Sequence, residues 1–277
     1  MKKHNYTSTL TIAGFDPSGG AGIQADIKTF SALGCYATSV LTALPVQNTM
    51  GVRTIYPIPC QAVQEQIEVI LDDIFPNALK IGMVHTKELV ATIVETLDKY
   101  PKMPIVFDPV MVATSGHKLI EDETIQTIVK RLFPIADIIT PNLDEAGILA
   151  QMHIETVQDM YLAGEKIRKL GAKNILLKGG HLKTDLLTSL FFSEEGNVHE
   201  FHFEKYNTNN THGSGCTLSS AIASYLAQGK SMLDAVTLGQ NYVQEAIYHG
   251  KDIAIGKGNG PLNHFFNPQK LIKNELV

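Results

Sequence analysis

Residues 208–220 read TNNTHGSGCTLSS, a small-residue, glycine-rich loop that leads directly into a helical pattern. Gly213 and Gly215 let backbone N–H groups turn toward one point, and a helix start adds unpaired N–H groups and a positive dipole end. The stretch therefore predicts an anion site, most often for phosphate, with the Cys216 thiol beside it as a candidate proton acceptor. A glycine-rich connection next to a buried cysteine is the alternative interpretation. The apolar residues at helical spacing after the loop are Leu218, Ala221, Ile222, Tyr225 and Leu226.

The composition and the charge restrict the class of protein. The chain has 277 residues, of which 44% are hydrophobic and 18% charged, a globular composition that supports a substantial core. A net charge of −5 argues against a broad nucleic-acid-binding face. Cys35, Cys60 and Cys216 offer neither a disulfide framework nor metal-ligand spacing, which favours a reducing, cytoplasmic compartment. No apolar run resembles a signal peptide or a membrane span, so no membrane association is expected.

Short apolar runs alternate with amphipathic segments along almost the whole chain. The runs predict extended segments at 10–14, 37–46, 79–83, 105–110, 138–140 and 175–178, and a hairpin of 186–192 with 198–203. Helices are predicted at 20–33, 59–75, 87–99, 121–132, 142–151, 156–170, 215–227 and 232–248. This alternation predicts an α/β fold, a doubly wound, mostly parallel sheet with helices on both faces and an antiparallel edge hairpin. No linker divides the chain, so residues 1–277 are expected to form a single domain.

Polar motifs fall where the predicted strands end, which is where ligands bind in open α/β sheets. The first motif, GFDPSGGAGIQAD at residues 14–26, follows a strand and opens a helix. Its glycines do not have the G-x-G-x-x-G spacing of a dinucleotide-binding turn. They favour a turn in which a small substrate lies against bare backbone, with a tight strand-to-helix connection as the alternative.

Carboxylates and an amide follow two further strands. Asp108 closes the strand at 105–110, and Asn142 and Glu145 are three residues apart, on one face of a predicted helix. An amide oxygen and a carboxylate in that arrangement suit Mg²⁺, often through its waters. A capping box of Asn142 with Glu145 is the alternative, as is a turn-capping carboxylate for Asp108.

Lys178 ends a strand and precedes two glycines, which places a point cation beside a bare loop and suits phosphate. A solvated lysine before a turn is the alternative, and His181 and His212 are interpreted as polar loop residues rather than metal ligands. Several anion- and metal-suited motifs at strand ends together indicate phosphoryl transfer, which needs positioning and cations. The chain lacks G-x-x-x-x-G-K-[ST], so it is not a P-loop enzyme.

Segments spread over residues 11 to 266 carry a family resemblance: TIAGFDPSGGAGIQADIKTFSALG, ALPVQNTMGV, KIGM, FDPVM, TPNLDEA, LKGGH, NTHGSGCTLSSAIA and GNGPLNHFF. Together they resemble the hydroxymethylpyrimidine/phosphomethylpyrimidine kinases of thiamine biosynthesis, in the ribokinase-like superfamily. The resemblance implies a ribokinase-like fold, a homodimer, and ATP- and Mg²⁺-dependent phosphorylation of 4-amino-5-hydroxymethyl-2-methylpyrimidine at its alcohol. It also implies a second phosphorylation, of the monophosphate to the diphosphate.

The resemblance implies roles for individual residues as well. The loop with Gly213 and Gly215 would be the anion hole for the transferring phosphoryl group, and Cys216 would occupy the position of the catalytic base. Asn142 and Glu145 would organise Mg²⁺ and phosphate. The residues expected at the ATP phosphates are Lys178, Thr211, Asn142 and Asp108, and those expected around the pyrimidine are Gly14, Ala21, Asp26, Gln47, Met83 and Val110.

Elementary chemistry supports part of this assignment. The Gln47 amide carries an acceptor and a donor that complement the amino group and the adjacent ring nitrogen of a 4-aminopyrimidine. Met83 and Val110 offer apolar walls for a flat ring. A thiol at a helix start beside a cationic site should have a lowered pKa, so Cys216 is expected either to accept the alcohol proton or to orient the hydroxyl. The sequence leaves these two roles open.

Two other functions fit parts of the sequence. Some relatives with the same G-x-G-C loop phosphorylate pyridoxal, so a pyridoxal kinase is the main alternative. Gln47 argues against pyridoxal as the sole substrate, because those relatives tend to carry an apolar residue near that position. A non-catalytic ligand-binding protein on the same fold is the other alternative. Such a protein would be free to lose residues such as Lys178 and Cys216.

Overall fold

A computed structural model describes residues 4–111, 120–180, 182 and 186–275, so His181 lies outside the described residues. The strands are β1 (His4–Tyr6), β2 (Ser8–Ala13), β3 (Tyr36–Leu41), β4 (Ala43–Asn48), β5 (Gly51–Pro57), β6 (Ala78–Ile81), β7 (Ile105–Phe107), β8 (Ile138–Ile139), β9 (Ile175–Leu177), β10 (Leu186–Phe192), β11 (Val198–Glu204) and β12 (Lys273–Glu275). The helices are α1 (Gly22–Ala32), α2 (Cys60–Asp73), α3 (Lys87–Leu97), α4 (Asp122–Arg131), α5 (Leu143–Ala150), α6 (Val157–Arg168), α7 (Ser214–Ala227) and α8 (Met232–Gly250).

The central sheet has eight strands in the order β11-β10-β9-β8-β7-β6-β2-β3. The six strands from β3 to β9 in this order are parallel. β10 runs antiparallel to both β9 and β11. The predicted mostly parallel sheet with an antiparallel edge hairpin is therefore confirmed. β1 and β12 form a separate antiparallel pair.

Alternate residues of the central strands face two separate cores. Phe107 and Leu177 pack in a core with helices α2 to α6, whereas Val106 and Leu176 pack in a core with α1, α7 and α8. Successive side chains of a strand point to opposite faces, so continuous apolar runs cover both faces of the sheet. The predicted doubly wound arrangement is thereby confirmed. No described helix combines the length and the apolarity needed to cross a lipid bilayer.

The segment predicted as one extended run at 37–46 is divided between two sheets. β3 belongs to the central sheet, whereas β4 pairs with β5 in a separate antiparallel sheet, here called the arm (residues 43–57). Thr42 lies at the division, where its N–H donates to the carbonyl of Ala13 at 2.9 Å and its hydroxyl donates to the carbonyl of Met83 at 3.0 Å. β5 was not predicted, because most of its side chains are exposed and it lacks a buried apolar face.

Candidate active site

Two glycine-rich loops meet where two helices begin. The N-cap residue of α7, Gly213, has φ +83°. A Cβ atom on Gly213 would collide with the carbonyl oxygen of Gly20, so only glycine allows this close packing. α1 begins at Gly22, and the Cα of the preceding residue, Ala21, lies 3.0 Å from the Cβ position of Gly213. The starts of α1 and α7 therefore lie against each other.

The start of α7 is left open to an anion. None of the described side chains caps its first turn. The Ser214 N–H donates to the Thr211 carbonyl at 3.1 Å, so the N–H groups of Gly215 and Cys216 and the positive dipole end stay available. A Cβ on Gly215 would lie 3.3 Å from Lys178 Nζ and 3.5 Å from Asp108 Oδ2. Lys178 therefore places a cation beside the same helix start.

Asp108 forms a buried ion pair with that lysine. Its Oδ1 accepts hydrogen bonds from Lys178 Nζ and the Thr140 hydroxyl, both at 3.0 Å. Burial opposes ionisation, but the ammonium groups of Lys178 and Lys80 hold the pKa of Asp108 below its ordinary value. An ionised carboxylate has no donor to offer a phosphate oxygen. Asp108 would therefore act on phosphate through Lys178 or a metal ion, and its predicted place among the phosphate-binding residues stays a prediction.

The Cys216 thiol has a raised pKa, which corrects the expectation of a lowered one. Burial raises the pKa of Cys216 to about 11, and the nearby ammonium of Lys80 does not compensate. The carboxylates of Asp26 and Asp108 raise it further. The thiol therefore keeps its proton at neutral pH. The sequence argument counted the helix start and a cationic site, but not the burial of the thiol or the two carboxylates.

A buried ion pair that the sequence analysis missed is hydrogen-bonded to α7. Lys80 Nζ lies 2.9 Å and 2.8 Å from the two oxygens of Asp26, and neither side chain has exposed surface. The same carboxylate accepts from the hydroxyls of Thr11 at 2.6 Å and of Ser220, one helical turn after Cys216, at 2.7 Å. Both Asp26 oxygens are thus engaged within the protein, and its predicted place against the pyrimidine stays a prediction. The available signal was a lysine within the apolar run of β6, which requires a partner when buried.

Asn142 and Glu145 form the capping box of α5. The Asn142 side chain accepts from the Glu145 N–H at 2.9 Å, and the Glu145 carboxylate accepts from the Asn142 N–H at 2.8 Å. Burial raises the pKa of Glu145 to about 7 against the opposing charge of Lys178. Among the described residues, no three histidine, cysteine or carboxylate side chains cluster as a metal site. The capping box is therefore present, and the metal role of Asn142 and Glu145 stays a prediction for an ion held largely through water.

Several residues expected around the pyrimidine lie near the junction of the two loops. A Cβ on Gly14 would lie 2.9 Å from Met83 Cε. The Cα of Ala21 is 3.0 Å from the Cβ position of Gly213, so Ala21 faces the loop before α7. Val110 is half-buried and follows β7 at the carboxyl end of the strand.

Asp16 lies at the same junction of the two loops, and the sequence analysis gave it no role. Its carboxylate is 1% exposed and accepts from the N–H groups of Gly20 at 3.0 Å and Ala21 at 2.7 Å. His212 Nε2 lies 2.9 Å from the same carboxylate, and Gln47 is half-buried on β4 of the arm. Burial opposes ionisation, yet these hydrogen bonds hold the pKa of Asp16 well below its ordinary value. An aspartate ahead of Pro and Gly marks a turn in any sequence, so the motif alone did not indicate this wider role.

A cavity of about 360 Å³ lies beside the phosphate side of the site. Thr211, which is exposed, and Gly180 of the LKGGH segment are part of its lining, together with Tyr206 and Thr208. The volume is in the range of small-molecule sites. A larger cavity, of about 490 Å³, lies between α7, α8 and the segment after α8, and its lining includes none of the predicted site residues that the structure describes.

Comparison with known proteins identifies relatives over almost the whole chain. The model of the family described as phosphomethylpyrimidine kinase matches residues 16–263. A probable thiamine biosynthetic bifunctional enzyme, chloroplastic, of Oryza sativa subsp. japonica is 45% identical over 264 residues, which are 94% of this chain and 48% of that protein. The chain therefore spans about half the length of this relative. The hydroxymethylpyrimidine/phosphomethylpyrimidine kinase of Staphylococcus aureus (strain Mu50) is 40% identical over 258 residues, 92% of each chain.

Solved structures confirm the ribokinase-like fold. Phosphomethylpyrimidine kinase from Clostridium difficile 630 has a TM-score of 0.76 and 45% identity, covering 87% of this chain and 99% of its own. Pyridoxal kinase from Staphylococcus aureus in complex with AMP-PCP has a TM-score of 0.87 and 31% identity, covering 98% of this chain and 100% of its own.

Proposed function

Because this chain belongs to the phosphomethylpyrimidine kinase family, we propose that it phosphorylates 4-amino-5-hydroxymethyl-2-methylpyrimidine and then its monophosphate, in thiamine biosynthesis. In each step the acceptor oxygen forms a bond to the γ-phosphorus of ATP while the bond to the ADP oxygen breaks. The observation that carries the proposal is the open start of α7 beside Lys178. One side of the site suits phosphates, and the other suits a flat ring that bears an amino group.

Fixed charges and dipoles account for the proposed catalysis. Negative charge on the transferred group would lie against the N–H groups that follow Gly213, with the Lys178 ammonium beside them. The buried pair of Lys80 and Asp26 holds the first turns of α7 in place, because Asp26 also accepts from the Ser220 hydroxyl. Such groups are already in place and need little reorganisation when charge develops in the transition state. Phosphoryl transfer depends mainly on positioning and charge of this kind.

We infer that Cys216 acts as a neutral thiol that orients the acceptor hydroxyl. With a pKa of about 11, almost none of it is thiolate at neutral pH. Phosphoryl transfer through a loose transition state requires little activation of the nucleophile, so the alcohol proton can pass to a phosphate oxygen. A monophosphate acceptor is already ionised, so the second phosphorylation depends less on Cys216.

ATP and Mg²⁺ belong to the proposal. The cavity lined by Thr211, Gly180 and Tyr206 lies next to the start of α7 and would take the nucleotide, which accords with the AMP-PCP complex of the pyridoxal kinase neighbour. Mg²⁺, when bound, would neutralise phosphate charge. Asp108 and Glu145 fit an ion held mainly by phosphate oxygens and water, because the nearby Asn142 oxygen is engaged in the cap. A homodimer and a cytoplasmic location, which the family resemblance and the cysteine content imply, complete the proposal.

Pyridoxal is the second candidate acceptor. The pyridoxal kinase neighbour has the higher TM-score, 0.87 against 0.76, but the lower identity, 31% against 45%. Because the two kinases share a fold, sequence identity and the side chains of the site decide between them. Gln47 favours the aminopyrimidine, whose donor and acceptor it complements.

A coupled assay of ADP release tests the proposal, with the pyrimidine alcohol, its monophosphate and pyridoxal as separate acceptors in the presence of Mg²⁺. Turnover of the first two with kcat/KM at least about tenfold above that of pyridoxal is expected. Turnover of pyridoxal alone would replace the pyrimidine function with vitamin B6 salvage. If no acceptor releases ADP, the kinase proposal fails.

A further inference from the structure

The chain between the end of β11 and the start of α7 runs along α8 and lines the cavity of about 360 Å³. Near the beginning of this segment, Nε2 of the Gln244 side chain donates to the backbone carbonyl of Glu204 at 2.6 Å. Further along, the Thr208 hydroxyl donates to the carbonyl of Lys251 at 2.9 Å. Gln244 and Lys251 are about two helical turns apart, which is about 10 Å along α8. The cavity therefore extends from Gln244 toward the start of α7.

The end of the cavity at Gln244 has the surface of a base-binding pocket. Leu187 lies there, because its neighbour on β10 pairs with Glu204 of β11. Ile247 follows Gln244 by one helical turn, and both apolar residues belong to the lining of the cavity. Apolar walls with a few placed polar groups are typical of a small-molecule pocket and suit a flat base. Phosphate belongs at the opposite end, where Thr211 leads into the open start of α7.

The hydrogen bond to Glu204 fixes the direction of the Gln244 amide. A backbone carbonyl only accepts hydrogen bonds, so the nitrogen end of the amide must face it and the oxygen end must face away. The Gln244 side chain is half-buried, and no hydrogen bond from the residues that the structure describes reaches its Oε1. The base end of the cavity thus holds an acceptor of fixed direction that is still available to a ligand.

We propose that Gln244 is a specificity-determining residue that selects ATP, because its Oε1 accepts a hydrogen bond from the 6-amino group of adenine. This inference rests on the proposed function. Hypoxanthine and guanine carry an oxygen at the position of that amino group, so each would set an acceptor against Oε1. Gln244 cannot turn over to meet that oxygen without losing its bond to the Glu204 carbonyl. The site therefore favours the base that carries the amino donor.

A comparison of ATP with inosine triphosphate in the unaltered protein gives the first test. The two nucleotides share the ribose and the triphosphate, and they differ in the amino or oxo group of the base. With the pyrimidine alcohol as acceptor, kcat/KM for ATP should be at least about tenfold above that for inosine triphosphate, mainly through the KM for the nucleotide. Values within about twofold of each other would overturn the role of Gln244. If neither nucleotide phosphorylates the alcohol, the proposed function itself fails.

The variant Gln244→Met gives the second test, because methionine has a similar length but cannot replace either hydrogen bond of the amide. The KM for ATP should rise at least about tenfold, while the KM for inosine triphosphate and the KM for the pyrimidine alcohol change by less than about threefold. A merely structural role would weaken both nucleotides equally and keep their ratio, which would contradict the proposal. A rise in the KM for the alcohol alone would place Gln244 at the other substrate and would also contradict it.

The matched control is Glu204→Ala, which removes an exposed side chain from the lining of the cavity but keeps the carbonyl that holds Gln244. It should retain the preference for ATP over inosine triphosphate. A loss of preference as large as that in Gln244→Met would assign the selection to charge at the cavity and overturn the role of the amide. Thermal unfolding reports on the fold of each variant, and the comparison of nucleotides in the unaltered protein remains decisive if Gln244→Met does not fold.

Discussion

The helices α5 and α7 both begin near Lys178. Side chains cap the backbone N–H groups at the start of α5, but not those at the start of α7. At α5, Asn142 and Glu145 cap each other's backbone N–H groups. At α7, the N-cap residue is Gly213, and no described side chain accepts from the first turn. A capped helix start has satisfied its own donors, whereas an uncapped one keeps its N–H groups for a ligand. The difference indicates that anion binding belongs to α7 and that α5 supports it.

The start of α1 is intermediate between these two in its capping. Its contacts explain how the loop before the uncapped start of α7 is held in place. None of the described side chains caps its first turn, but Asp16 accepts from the N–H groups of Gly20 and Ala21 just before it. His212 bonds to the same carboxylate and immediately precedes Gly213. The loop that leaves α7 uncapped is thus held to the neighbouring loop through its His212 side chain.

Among the substitutions predicted here, one at Gly213 should lower activity most, because it disrupts the open start of α7. In Gly213→Ala, the methyl group would collide with the Gly20 carbonyl, and φ +83° would be strained as well. Displacement of the loop removes the donors aimed at the phosphoryl group, so kcat should fall by about 10³-fold. The measurement is steady-state kinetics of ADP release with the pyrimidine alcohol.

Gly196→Ala is the matched control for that substitution. Gly196 also has a positive φ, +93°, but a Cβ there meets nothing within 4 Å. It should lose about 1 kcal/mol of unfolding free energy through backbone strain and keep its activity. If Gly213→Ala behaved like Gly196→Ala, the close contact of the two loops would not be needed for catalysis.

Substitutions of Cys216 test whether the thiol at the start of α7 orients the acceptor hydroxyl. Cys216→Ala should lower kcat for the alcohol about 100-fold through loss of orientation, and kcat for the monophosphate by less than about tenfold. Cys216→Ser keeps a hydrogen-bonding group and should recover most of the lost activity.

The pH dependence distinguishes a neutral thiol from a thiolate base. A base with a pKa of about 11 would make kcat rise about tenfold per pH unit at neutral to mildly alkaline pH. A neutral, orienting thiol predicts a flat profile between about pH 7 and 9. A steep rise that disappears in Cys216→Ser would show that the thiolate takes the proton.

The parts of the fold that follow from local pattern were predictable from the sequence. The apolar runs of the parallel strands and the turn at Gly196 are local signals, and the sheet and its edge hairpin agree with them. The glycine spacing also located the open start of α7. β5 was not predictable in the same way, because an exposed strand such as Gly51–Pro57 has no buried face to pattern its residues.

The electrostatics of the site were not predictable, because they depend on residues distant in the sequence. Lys80 and Asp26 are 54 positions apart, and Asp16 and His212 are 196 apart. The pKa of Cys216 was predicted in the wrong direction for this reason: a helix start and a lysine are visible in the motif, but the packing of two carboxylates against them is not. Desolvation likewise appears only when a fold excludes water from a group.

The smallest expected effects concern the capped start of α5, where two substitutions separate capping from charge. Asn142→Ala removes the cap and should cost about 1 kcal/mol of unfolding free energy. Glu145→Gln keeps an acceptor at the third helical position, so the capping box survives without its charge. Urea unfolding at acidic and alkaline pH measures both variants.

The sign of the pH effect follows from the raised pKa of Glu145. Folding raises it from 4.5 to about 7, so the folded protein holds that proton more tightly and loses stability as pH rises through this window. Glu145→Gln should therefore match the unaltered protein below about pH 4.5 and exceed its unfolding free energy by about 1–3 kcal/mol at about pH 8. Asn142 and Glu145 lie beside the phosphate side of the site. Glu145→Gln should therefore need about tenfold more Mg²⁺ for half-maximal rate. An unchanged Mg²⁺ requirement would restrict Glu145 to capping and leave the binding of phosphate and its counter-ion to α7 and the residues around Lys178.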